Sequence, residues 1–127
     1  MRAYFDADIL IAHLRGEHKA FECLSRIKFE GEYELWIGAL QRAEVIFFMR
    51  PEEEKQTAAF LSEFRTAPVD QVVIDKAAAL YRKWNPSHGV DINDTILAAT
   101  AMQTGGKILT FNLKHYPMPD VIVERAG

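Results

Sequence analysis

The residues of this sequence best placed to do chemistry are carboxylates set among apolar neighbours. Asp6 and Asp8 stand in "MRAYFDADIL", between two apolar runs. Glu44 stands in "LQRAEVIFFM". Helical spacing gives it Leu40, Phe47 and Phe48 as neighbours, while Val45, Ile46 and Met49 cover much of the remaining surface. A helix apolar nearly all round is expected to be buried, which puts one carboxylate in the middle of a buried helix. Asp94 repeats the pattern. Its helical neighbours are Leu97, Ala98 and Ala101, and no charge follows from Ile96 to Thr104. The other acids have ordinary places; "PEEEK", for one, reads as a solvated first helical turn.

An ionised carboxylate buried without a partner is strongly unfavourable. Several together also repel, which raises their pKa values. A divalent cation makes such a set tolerable, and oxygen ligands from separate elements suit Mg²⁺ or Mn²⁺. Simpler readings stay open for each acid. Glu44 could pair with Arg42 or Arg50, and Asp6 could merely end a strand. Asp91 precedes Asp94 by three positions, as in a capping box, so Asp91 is expected as the N-cap of the helix carrying Asp94. Asp8 is likewise expected as the N-cap of the helix "ILIAHLR", leaving Asp6 as the metal-binding member of its pair. The four histidines, His13, His18, His88 and His115, show no zinc-ligand pairing and are expected on surfaces or loops rather than as ligands. Cys23, the only cysteine, falls among helical apolar positions and reads as core.

The elements that must position these acids alternate. "RAYF", "YELWIG", "KILTF" and "VIVE" read as strands, with a short extended piece near "APV". Helices are expected over "ILIAHLR", closed by Gly16, over "FECLSRI", over "LQRAEVIFFM" up to Pro51, and over "EEEKQTAAFLSEF". Two more cover "DKAAALYRKW" and "INDTILAATAMQT", with "NPSHG" a loop between them. Short apolar strands alternating with helices predict an α/β fold: a three-layer α/β/α sandwich around a central, mainly parallel sheet of about five strands. The 127 residues suit a single domain over 1–127. In such sheets ligands bind beyond the carboxyl ends of the strands, which is where Asp6 would stand.

Composition narrows the classes. A lone cysteine excludes an internal disulfide and a multi-cysteine zinc site and fits a reducing cytoplasm. No signal pattern and no membrane-spanning apolar run is seen. A formal net charge of −3 argues against a protein whose main task is tight binding to a phosphate backbone, but not against an enzyme that touches nucleic acid briefly.

Four segments in order resemble the PIN-domain family, specifically the VapC-type toxins of toxin–antitoxin pairs: "YFDADILIAHLRG", "GALQRAEVIF", "HGVDINDTILAATAMQTGGKILT" and "FNLKHYP". The resemblance covers essentially the whole chain. It implies a metal-dependent endoribonuclease that hydrolyses RNA phosphodiester bonds with Mg²⁺ or Mn²⁺. Asp6, Glu44 and Asp94 become the metal-site acids, the same three that burial singled out. A fourth acid often follows the "LTF" strand in the family; Asn112 stands there in this chain and can offer a carbonyl oxygen. Asn112 and Asp91 are therefore further metal candidates, with Asp8 and Thr110 as supports that orient a carboxylate or a water. The resemblance also implies a cognate antitoxin and a homodimer as partners. Arg15, Arg42, Lys107 and Lys114 flank the site segments as candidate RNA guides, and Tyr116 as a stacking or packing residue.

Two rivals keep a place. The Asp6-Ala7-Asp8 triplet superficially matches a haloacid-dehalogenase-type phosphatase, although Leu10 stands where that family wants a small hydroxyl residue. A PIN-like interaction module without turnover is the non-enzymatic rival, and Asn112 is the feature that motivates it.

Overall fold

In the computed structural model, which describes residues 1–127, strands and helices alternate. They are β1 (Arg2–Phe5), α1 (Ala7–Leu14), α2 (His18–Glu30), β2 (Glu34–Gly38), α3 (Ala39–Phe47), α4 (Glu54–Leu61), β3 (Arg65–Ala67), α5 (Gln71–His88), α6 (Ile92–Thr104), β4 (Lys107–Thr110) and β5 (Ile122–Arg125). Single 3-10 turns occupy Pro51–Glu53 and Leu113–His115. The five strands form one sheet in the order β3-β2-β1-β4-β5, and every pair is parallel. This is the expected architecture.

Parallel strands must be buried on both faces because their crossover helices cover both. The pleat sorts the side chains accordingly. Ala3 and Phe5 of β1 join Ile37 and Leu109 in one core, under α1, α2, Val45 of α3 and Phe60 and Leu61 of α4. Tyr4, Trp36 and Ile108 point the other way, into a core closed by Leu97, Ala98 and Ala101 of α6 and by Leu80 and Tyr81 of α5. Cys23 lies in the first core, as expected.

The strand order fixes the site. From β1 the chain builds outward through β2 and β3, then returns to β4 on β1's other side and continues to β5. Neighbouring crossovers thus leave β1 and β4 in opposite directions. The crevice at their carboxyl ends is the topological switch point where such sheets bind ligands.

Three expectations need correction. The helix carrying Glu44 is not apolar-buried all round: α3 stops at Phe47, and Phe47 and Phe48 are 77% and 85% exposed. The apolar run outlasts the helix, so its last side chains turn away from the core. The segment "NPSH" is helical, because α5 runs to His88 and closes at Gly89 in the left-handed region (φ 60°). Pro86 lies in the last turn, where its missing N–H costs a single bond. Lys107 is no flank of the site. It is buried at the amino end of β4, the opposite edge, where its Nζ is 3.3 Å from Glu124 and 4.0 Å from the centre of the Tyr33 ring.

Between α6 and β4 the backbone passes tightly under β1. A Cβ on Gly106 would stand 2.6 Å from Cε2 of Tyr4 and 3.0 Å from the carbonyl oxygen of Arg2. Gly106→Ala is expected to destabilise the fold by about 1–3 kcal/mol, as overpacking does, lowering the melting temperature by roughly 4 °C per kcal/mol. An unchanged melting curve would show that β1 and β4 are not locked in this register.

Candidate functional site

Asp6 follows β1 directly and carries the sheet ladder one residue further, its N–H donating to the Leu109 carbonyl at 3.0 Å. It is the N-cap of α1 in extended conformation, and its own Oδ1 accepts the Ala7 N–H at 2.7 Å. Its Oδ2 accepts the Thr110 hydroxyl at 3.0 Å and the Tyr116 hydroxyl at 2.9 Å. Only 5% of the residue is exposed.

The expected division of the pair is therefore reversed in its capping half. Asp6, not Asp8, holds the cap position. Asp8 sits within the first turn, and its Oδ2 accepts the Phe111 N–H at 3.1 Å, which ties α1 to the end of β4. The reason is local: the helix begins as soon as the strand ends, with no residue between β1 and the cap. Thr110 supports both acids. Its Oγ1 is 3.0 Å from Asp6 Oδ2 and 3.2 Å from Asp8 Oδ2, so its single proton serves one at a time. Burial, and then the Asp6 charge, raise the Asp8 pKa, and Asp8 Oδ1 is buried without a hydrogen-bond partner.

The amino end of α6 supplies the facing acid. Asp91 is the N-cap, as expected; its Oδ2 accepts the N–H groups of Asn93 and Asp94 at 2.9 and 3.3 Å. One position beyond Asn93, Asp94 turns its carboxyl toward Asp6. Burial, and after it the Asp6 charge, push the Asp94 pKa up to about 7, with His115 opposing. Glu44 reaches the same crevice from α3. It pairs with neither Arg42 nor Arg50; its Oε1 accepts from Asn93 Nδ2 at 2.9 Å. Burial is again the main cause of its raised pKa, with the Asp6 charge adding to it.

The turn after β4 holds two residues whose place here the sequence did not reveal. His115, expected on a surface or loop and not as a ligand, directs Nδ1 at the acids, 3.6 Å from Asp6 Oδ2 and 3.7 Å from Asp94 Oδ2. Atoms of Asp6, Asp94 and His115 suited to metal ligation lie within 4.8 Å of one another. Tyr116 is buried, and its hydroxyl points into the site rather than out to a base. Asn112 lies outside the acid pair. Its Oδ1 accepts the Lys114 N–H at 3.1 Å, and its Nδ2 is 3.2 Å from His115 Nε2.

No lysine or arginine stands within ion-pair range of Asp6, Glu44 or Asp94; His115 is the one nitrogen-bearing ring that approaches. Oxygen donors from β1, α3 and α6, raised pKa values and an orphaned carboxylate oxygen together fit a hard divalent cation. Beside Glu44 opens a groove of about 490 Å³ lined by Leu14, Arg15, Phe48, Met49 and Arg50 among others. Arg42 is directed elsewhere, 3.4 Å from Thr66 Oγ1, and Lys114 is exposed.

Acids raised in the folded state bind protons that the unfolded chain has released. In chelator, stability is therefore expected to fall as pH rises from about 4 through about 7, the window between the ordinary Asp value and the raised Asp94 value. Asp94→Asn should flatten that slope and stabilise the metal-free chain at pH 7.5. Melting curves in chelator check this, and a wild-type slope unchanged by the substitution would contradict it.

Comparison with known proteins adds an independent line. Residues 3–120 match the family model described as PIN domain. The chain is 34% identical to Ribonuclease VapC10 of Mycobacterium tuberculosis over 114 residues, 89% of this chain and 84% of that protein. It is also 34% identical to Ribonuclease VapC19 of the same organism over 118 residues, 91% of this chain and 94% of that one. A toxin–antitoxin complex from Klebsiella pneumoniae contains a chain of the same fold, with a TM-score of 0.77 and 24% identity, covering 94% of this chain and 95% of that one.

Proposed function

The chain belongs to the PIN-domain family, and on that premise we propose that it is an endoribonuclease, the toxin of a toxin–antitoxin pair, with Asp6, Glu44 and Asp94 as its metal-holding acids. The observation that carries the reading is the convergence of these acids at the β1/β4 switch point without a lysine or arginine to balance them. Its substrate class follows from the two relatives named ribonucleases, each aligned over most of this chain. The metal is Mg²⁺ or Mn²⁺, because the acids offer hard oxygen donors.

The chemistry such a cation supplies is Lewis acidity, toward a water molecule and toward the phosphate oxygens. The protein's part is placement. Thr110 and the Ala7 N–H fix the Asp6 carboxylate, Asp91 fixes the turn that presents Asp94, and Asn93 fixes Glu44. Positions set by such outer partners matter to metal sites nearly as much as the ligands do. Asn112 and Asp91 spend side-chain oxygens on backbone N–H groups, which gives them a shaping role in this reading. Arg15 and Arg50 line the groove beside Glu44 and suit an approaching phosphate backbone.

The antitoxin reading draws on the Klebsiella pneumoniae complex, whose likeness supports the fold, and on surface chemistry. Phe48, which lines that groove, and its neighbour Phe47 stand 85% and 77% exposed, an apolar surface that a partner would cover. Exposed Val72, Ile74 and Ile92 of α5 and α6 suit contact with a second copy. No helix is long and apolar enough to cross a membrane, and action on RNA places the protein in the cytoplasm in this reading. The phosphatase rival is weakened: Asp8 Oδ2 is engaged by the Phe111 N–H and the Thr110 hydroxyl, which ties it to the end of β4.

Incubating RNA with the protein in Mg²⁺ or Mn²⁺, in chelator and with Asp94→Asn tests the reading. Cleavage is expected only in the first case, with a loss of about 10²-fold or more in the variant. Equal cleavage in all three would remove the metal mechanism. Cation binding with no RNA cleavage would favour the interaction module, and an acid-stable phosphoaspartate the phosphatase.

A further inference from the structure

Asp6 Oδ2 accepts the Tyr116 hydroxyl at 2.9 Å, and it shares the single Thr110 proton with Asp8. The Tyr116 hydroxyl does not face Asp6 alone. It lies 3.5 Å from Asp94 Oδ1, so it stands between the two acids, in the gap a shared cation would need. The residue is 5% exposed and belongs to the core with Met118 and Val121. The hydroxyl therefore cannot leave the gap by simple side-chain rotation.

The preceding residue points the same way, and its proton can be placed. Asn112 Oδ1 accepts the Lys114 N–H, which fixes the amide and leaves Nδ2 to donate to His115 Nε2. Nε2 is then an acceptor, so the neutral ring carries its proton on Nδ1. That Nδ1–H faces Asp6 and Asp94 at 3.6 and 3.7 Å, too far for a hydrogen bond, and it has no other partner. Two consecutive residues of one turn thus aim donors at one pair of carboxylates, where the metal-centre reading requires a cation.

We propose that Tyr116, backed by His115, is an internal occupant of the acid pair: its hydroxyl donates to Asp6 while standing against Asp94, and it must give up Asp6 Oδ2 for a cation to take that oxygen. Tyr116 is a positioning residue in this account. It weakens cation binding and holds the acid pair when no cation is bound. The inference rests on the metal-centre reading above and adds a competitor built into the site.

The test is Tyr116→Phe, which keeps the buried ring and removes the hydroxyl, with circular dichroism to verify the fold. Mg²⁺ and Mn²⁺ affinities are measured by calorimetry on the variant and the wild type, and melting curves are recorded in chelator and in saturating cation. The variant is expected to bind cation about tenfold more tightly, since it no longer gives up a hydrogen bond to a charged group. It should also melt lower than wild type in chelator, with the gap closing when cation saturates. Equal or weaker affinity in the variant overturns the occupant role. If the wild type binds no cation but the variant does, the proposal stands. If neither binds, it falls together with the metal centre. RNA cleavage by the wild type that depends on Asp94, alongside unchanged affinity in the variant, overturns the occupant alone and leaves the nuclease reading intact.

Discussion

Repulsion among carboxylates at the carboxyl ends of β1 and β4 is the constraint from which the rest of this structure follows. Asp6, Asp8, Asp94 and Glu44 are brought into one crevice, and the electrostatic effect of Asp6 is felt by each of the other three. Bringing such charges out of water is costly, and bringing them together compounds the cost. A fold built for stability alone would place an arginine among them. None is there, and the acids are instead held by hydroxyls, an amide and backbone N–H groups, which orient them without cancelling their charge.

The scaffold makes that arrangement rigid. Parallel strands with helices on both faces bury β1 and β4 completely at Phe5 and Leu109, so the backbone that delivers Asp6 and Thr110 has no room to move. Asp94 and Glu44 come from helices that cover opposite faces of the sheet, and Asn93 links them across its edge. The acids are thus fixed from both layers at once. The turn after β4 closes the remaining side with donors of its own.

Much of this was legible in the sequence. A Glu or Asp on an otherwise apolar helical face is a physical anomaly that needs no structure to notice, and Glu44 and Asp94 both showed it. Asp91 announced its capping role through spacing, and the alternation of short strands and helices gave the parallel sheet. The failures have a common cause: they depend on where an element stops. One residue separates the cap role of Asp6 from that of Asp8, and no local preference distinguishes two aspartates so close together. Phe47 and Phe48 look like core until the helix ends beneath them. Lys107 sits beside a site-bearing segment in sequence, yet at the far end of its strand. His115 and Tyr116 reach the acids only because a short turn folds back over the strand ends, a tertiary fact that periodicity cannot carry.

The central claim is that the carboxylates form a site for a divalent cation. Its most direct test is the melting temperature of the wild-type protein at pH 7.5 across a titration of Mg²⁺ or Mn²⁺. Binding to the folded state alone, with relief of carboxylate repulsion, predicts a melting temperature that climbs with the logarithm of cation concentration above the dissociation constant. A melting temperature that stays level throughout the titration would contradict the account.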